Sequence, residues 1–148
     1  MKNLEFKSFA RASGCPGKIF SNLISVLVVE DDHALLQTCS ALLEEHGYNV
    51  IQCSNAMDAM DRIRKDRVDI VLTDIRLPKI SGIKLLEDIN SLKIGAPVIV
   101  MTGHAELDVA MDAMNKGAFD FIVKPFTTPI LIRSLEMALM HRFKDFHS

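Results

Sequence analysis

Residues 69–78 read Asp69-Ile70-Val71-Leu72-Thr73-Asp74-Ile75-Arg76-Leu77-Pro78, and the order of those side chains decides the fold. Ile70, Val71 and Leu72 follow one another without the apolar–polar alternation of a strand that has water on one face. A strand of this kind is expected to be covered on both faces, as in a parallel sheet. The run ends on a carboxylate, Asp74, and Pro78 lies among the turn residues that follow. Open parallel sheets hold their ligands outside the carboxyl ends of the strands, where Asp74 would stand.

The same grammar extends in both directions. Upstream, the Val-rich run Ser25–Val29 stops at Glu30-Asp31-Asp32, and a helical period follows in Leu35, Leu36, Cys39, Leu42 and Leu43, closed by His46-Gly47. Tyr48–Cys53 reads as a strand, and Ala56, Met57, Met60 and Ile63 form a helical stripe. Downstream, Pro78, Ser81 and Gly82 turn the chain into a helix carrying Leu85, Leu86 and Ile89. Pro97–Met101 is a fourth strand, before a helix from about His104 to Lys116 with Gly117 just past its end. Phe119–Val123, with Phe119 and Phe121 expected on one face, leads through Lys124-Pro125 to a helix over Ile130–Arg142.

Five strand–helix units imply an α/β fold, a doubly wound and mainly parallel sheet with right-handed crossovers. Both a Rossmann half and the flavodoxin-like strand order 2-1-3-4-5 fit, and periodicity does not choose between them. The chain of 148 residues has room for one core, read here as 23–143, with an extension over 1–22 and a tail over 144–148.

Charge excludes some partners. Lys2, Lys7, Arg11 and Lys18 stand against Glu5 in the first 25 residues, whereas the remainder holds 13 basic and 18 acidic side chains. An acidic body binds DNA or anionic lipid poorly, so neither direct nucleic-acid binding nor membrane insertion is expected. Cys15, Cys39 and Cys53 form no CxxC pair, and Cys39 and Cys53 fall in apolar stretches as small buried hydrophobes. With no apolar run long enough to span a bilayer and no secretory leader, a cytoplasmic location is expected.

Four strand ends carry polar residues straight after apolar runs: Glu30-Asp31-Asp32, Asp74, Thr102 and Lys124. Carboxylates brought this close repel one another unless a cation joins them, and a few oxygens around a hard ion suit Mg²⁺, with Mn²⁺ as a substitute. A carboxylate kept ionised in this way can attack phosphorus to give an acyl phosphate. The Thr102 hydroxyl and the Lys124 ammonium would then meet the oxygens of the transferred group. Asp74 stands alone at the central strand and is the candidate nucleophile, with Glu30 and Asp31 holding metal. Asp32 opens the next helix and reads as its cap. Phe121 is either core packing or a ring that turns inward as Thr102 moves. Ala110, Met111, Met114 and Phe126 read as a partner face or, by helical spacing, as core.

Four segments together resemble the receiver domain of bacterial response regulators. They are Val28-Val29-Glu30-Asp31-Asp32, Leu72 to Pro78 with Gly82, Val98-Ile99-Val100-Met101-Thr102-Gly103-His104, and Gly117 to Phe126. The third and fourth look most like receivers that precede transcriptional activator modules. The resemblance implies Asp74 as the phosphorylation site, with metal held by Glu30, Asp31, Asp74 and the Arg76 carbonyl. It further implies Thr102 and Phe121 as the switch pair, and Lys124 as the phosphate-binding amine. A sensor histidine kinase or histidine phosphotransfer protein would supply the phosphoryl group. The face between the fourth and fifth helices would then change, to form a homodimer or meet an output domain. The resemblance sets Arg76 and His104 on the rim above Asp74, as candidates for tuning the lifetime of the phosphate. Glu30 stands where the family more often has Asp. No output module is expected within these residues.

Other classes fit less well. A Rossmann nucleotide site needs a Gly-rich turn where Glu30-Asp31-Asp32-His33 stands, and no P-loop run occurs. A phosphatase with a nucleophilic Asp would place a second Asp where Arg76 lies. The domain is therefore expected to act on no separate substrate and to catalyse only its own Mg-dependent phosphorylation and dephosphorylation. The nearest rival is a degenerate receiver that docks or dimerises without phosphorylation.

Overall fold

In the computed structural model, residues 24–144 are described. The elements alternate as β1 (Ser25–Val29), α1 (His33–Glu45), β2 (Asn49–Cys53), α2 (Ala56–Lys65), β3 (Ile70–Asp74), α3 (Gly82–Leu92), β4 (Val98–Gly103), a 3₁₀ turn (His104–Glu106), α4 (Leu107–Asn115), β5 (Asp120–Lys124) and α5 (Thr128–Arg142). The strands form one parallel sheet in the order β2-β1-β3-β4-β5, which selects the flavodoxin-like arrangement over the Rossmann half. The expected extension over 1–22 and all of the tail except Lys144 lie outside the described residues.

Pleating divides the apolar strands between two cores. Leu27, Val29, Val71, Val98 and Val100 face α2, α3 and α4, while Val26, Val28, Ile70, Leu72 and Met101 face α1 and α5. Both sides of the central strands are thus covered, as their unbroken hydrophobicity requires. Asp32, Asn55 and Ser81 cap α1, α2 and α3 by accepting backbone N–H bonds with their side chains. Among the described residues no helix is long and apolar enough to cross a membrane.

Two local expectations change. Phe119 lies before β5 and packs toward α5, its ring 5.5 Å from that of His141, whereas Phe121 packs in the opposite layer under α4. The strand pleat starts only at Asp120, so the two-residue rule does not reach back to Phe119. The stripe on α4 also divides: Ala110 and Met114 join the core, Met111 points outward, and Phe126 belongs to the α1–α5 layer.

Candidate functional site

Register brings the polar strand ends to one pole of the sheet. Val29 pairs with Thr73, Asp74 with Met101 and Gly103 with Lys124, so Glu30, Asp74, Thr102 and Lys124 emerge side by side. Gly82 lets the β3–α3 connection close on this pole. A Cβ there would collide with the Asp74 carbonyl oxygen and lie 2.8 Å from the Ile75 Cα, while the Gly82 N–H donates to the Ile75 carbonyl at 2.8 Å.

The expected acid cluster is present: carboxylate oxygens of Glu30, Asp31 and Asp74 lie within 4.8 Å of one another. Glu30 is almost wholly buried, Asp74 is buried and Asp31 is exposed. Lys124 reaches across from β5, its Nζ donating to Asp74 Oδ2 at 2.8 Å and to Glu30 Oε2 at 3.0 Å. The Asp32 N–H donates to the other Glu30 oxygen at 3.2 Å, and the Arg76 N–H to Asp74 Oδ1 at 3.0 Å. The Lys124-Pro125 bond is cis. Asp32 itself accepts from the Leu35 N–H at 3.2 Å, the helix-cap role expected of it.

Electrostatics follow from this crowding. Burial first, then the adjoining Asp74 carboxylate, push the Glu30 carboxyl up to about 7, against the opposing pull of Lys124. Burial pulls Lys124 down, but its hydrogen bonds to Asp74 and Glu30 outweigh that, and the ammonium is held above its ordinary value. Burial pushes the Cys39 and Cys53 thiols up to about 11, in line with small core residues rather than reactive thiols. Three clustered carboxylates served by a single amine form an all-oxygen donor set of the kind that a hard divalent cation favours. The acid cluster fits the Mg²⁺-binding pocket of receiver domains.

Thr102 is next to the cluster but not joined to it. Its hydroxyl is buried and donates to the Gly103 carbonyl at 3.2 Å and the Glu106 carbonyl at 3.3 Å, within its own loop. Phe121 is half-buried against the α4 layer. The Arg76 side chain reaches over to form an ion pair with Glu106, a partner that sequence reading missed. The adjacency of β3 and β4 could have suggested it, since it sets the two following loops side by side. The expectation for the His104 side chain lies outside the described residues. Beside Lys124, a groove of about 550 Å³ runs between α1 and the β5–α5 connection, lined by Leu35, Cys39, Leu42, Pro125 and Phe126 among others.

The comparisons with known proteins agree with this geometry. The family described as the response regulator receiver domain matches residues 26–136. Transcriptional regulatory protein ZraR of Escherichia coli (strain K12) is 36% identical over 118 residues, covering 80% of this chain and 27% of that protein. Transcriptional regulatory protein FixJ of Rhizobium meliloti (strain 1021) is 34% identical over 117 residues, 79% of this chain and 57% of that protein. The chain thus spans about a quarter of the one relative and just over half of the other. Among solved structures, a receiver domain protein from Clostridium thermocellum superposes with a TM-score of 0.77 at 32% identity, covering 80% of this chain and 96% of that one. The receiver domain of NtrX from Brucella abortus gives 0.75 at 31% identity, covering 77% and 97%. The chain belongs to the response regulator receiver domains of two-component signalling systems.

Proposed function

We propose that the domain accepts a phosphoryl group on Asp74 from the phosphohistidine of a sensor kinase or phosphotransfer protein, and that the charge so gained switches its α4–β5–α5 face. The observation that carries this reading is the meeting of Glu30, Asp31 and Asp74 within 4.8 Å, with the Lys124 ammonium 2.8 Å from Asp74. A magnesium ion held by Glu30, Asp31, Asp74 and the Arg76 carbonyl would neutralise the acids and draw charge from the transferring group.

In the transfer, an Asp74 carboxylate oxygen forms the new bond to phosphorus as the P–N bond to the donor imidazole breaks. The electron pair of that bond leaves on the ring nitrogen. Lys124 balances charge on the phosphoryl oxygens. Thr102 must turn its hydroxyl from the Gly103 and Glu106 carbonyls to reach the same group, and Phe121 follows into the space it vacates. Hydrolysis reverses the gain when water attacks phosphorus and the carboxylate leaves. The groove beside Lys124, apolar and open along α1, suits the helix that would present the donor histidine.

The test is incubation with Mg²⁺ and acetyl phosphate, followed by intact mass measurement. One added phosphoryl group is expected, absent from Asp74→Asn and absent without the metal. No gain by the wild-type domain would leave the degenerate receiver as the reading.

A further inference from the structure

Glu106, in the 3₁₀ turn between β4 and α4, joins groups on both sides of the site mouth. Its carboxylate pairs through Oε2 with the Arg76 Nε and accepts the Gly103 N–H through Oε1 at 3.2 Å. Its backbone carbonyl accepts the Thr102 hydroxyl at 3.3 Å. Arg76, from the neighbouring loop, donates its own backbone N–H to Asp74 Oδ1 at 3.0 Å. One residue therefore holds the side chain of Arg76, whose backbone N–H meets Asp74, and also the loop that carries Thr102.

The two partners are unequally placed. The Arg76 side chain is 78% exposed, while that of Glu106 is 12% exposed. A long, solvated arm is moored to a nearly fixed acceptor. A guanidinium also pairs well with phosphate, through two parallel N–H bonds where geometry allows. A doubly charged group arriving on Asp74 would compete for the same cation. Resting on the receiver reading above, we propose that Glu106 is a positioning residue for phosphoryl turnover, mooring the Arg76 guanidinium to the β4–α4 turn until a phosphoryl group on Asp74 draws it away. The exchange removes the counter-charge of Glu106 and loosens the turn whose Gly103 N–H and Thr102 hydroxyl that residue accepts. Charge on Asp74 is thereby linked to the release of Thr102 through side chains on two loops.

The experiment compares wild type, Glu106→Gln, Arg76→Ala and the double variant. Each is charged with acetyl phosphate and Mg²⁺, freed of donor, and followed by intact mass as the phosphoryl group is lost. Glu106→Gln keeps an acceptor for the Gly103 N–H but removes the charge that holds Arg76. The freed guanidinium then pairs with the phosphoryl group, and the half-life lengthens about two- to fivefold, the factor an exposed ion pair commands. In the Arg76→Ala background the same change has no effect, a non-additivity that a purely structural Glu106 would not produce. The Arg76 Nε–H resonance should also move on phosphorylation of the wild type, and sit near its phosphorylated position in uncharged Glu106→Gln. An unaltered half-life in Glu106→Gln, an equal effect with and without Arg76, or an Nε–H resonance unmoved by phosphorylation overturns the proposal while phosphorylation of Asp74 stands. Failure of the wild type to take up phosphate removes both readings.

Discussion

With its ammonium 2.8 Å from Asp74 and 3.0 Å from Glu30, Lys124 supplies positive charge to the acids before any metal arrives. Lys124→Ala would leave a buried acid pair without a counter-ion, and it should cost the metal-free domain about 2–4 kcal/mol. Saturating Mg²⁺ should recover part of that loss, because a ligand that binds only the native state stabilises it. Denaturant titrations in EDTA and in Mg²⁺ check both, and an unchanged midpoint in EDTA would contradict the balance described. Glu30 gives a pH signature of defined sign. Its carboxyl ordinarily titrates near 4.5 and here is raised to about 7, so the native state holds its proton more firmly than the unfolded chain. That contribution to stability is full below about 4.5 and is lost as pH rises through about 7. Without metal, wild type should therefore lose stability relative to Glu30→Gln between pH 5 and pH 8, as paired thermal melts would detect. Asp74→Asn removes one charge from the cluster and should raise the metal-free melting temperature by a few degrees; a clear fall would count against carboxylate repulsion.

The junctions between elements place these residues, and they were unequally legible. Strand ends could be read because the apolar runs of β1, β3 and β5 each stop at a charge that marks the pole: Glu30 after Val29, Asp74 after Thr73, Lys124 after Val123. β1 and β3 are buried on both faces, whereas β5 is a half-buried edge strand. Gly82 was readable as a turn, but its necessity comes from the approach of its Cα to the Asp74 carbonyl, a contact known only once the fold is closed. Gly82→Ala should displace the Asp74 backbone, cost about 1–3 kcal/mol by overpacking, and slow phosphorylation by acetyl phosphate. Melts and initial rates both left unchanged would refute the steric account. Other junctions carried no local mark. Lys79 and Lys93 adopt φ of 67° and 54°, left-handed values at a residue type that gives no hint of them. The Arg76–Glu106 pair joins two loops that lie together only because β3 and β4 are neighbours, and nothing in either loop says which charges meet.

Across the whole molecule, the sheet separates two apolar layers and two poles of opposite character. At the pole away from the acid cluster, Asp69 is fully buried, accepts the Ser25 N–H at 2.8 Å and the Arg67 Nε at 3.1 Å, and lies 3.8 Å from the Arg142 Nε. In the sequence it was only the polar neighbour of an apolar run, because two of its partners, Ser25 and Arg142, are 44 and 73 residues distant in the chain. Asp69→Ala should destabilise the domain by about 2–4 kcal/mol through the loss of buried acceptors, with the rate of Asp74 phosphorylation unchanged below the melting transition. A matched loss of phosphorylation in the folded variant would show that the poles are not separable. Asp69 has a geographical consequence as well. It ties the beginning of β1 to the last turn of α5, so the entrance and exit of the described chain share one end of the sheet. Five residues of strand, roughly 16 Å, divide that doorway from the acids. A module tethered close to Ile24 or Lys144 would leave the domain on the far shore from the chemistry.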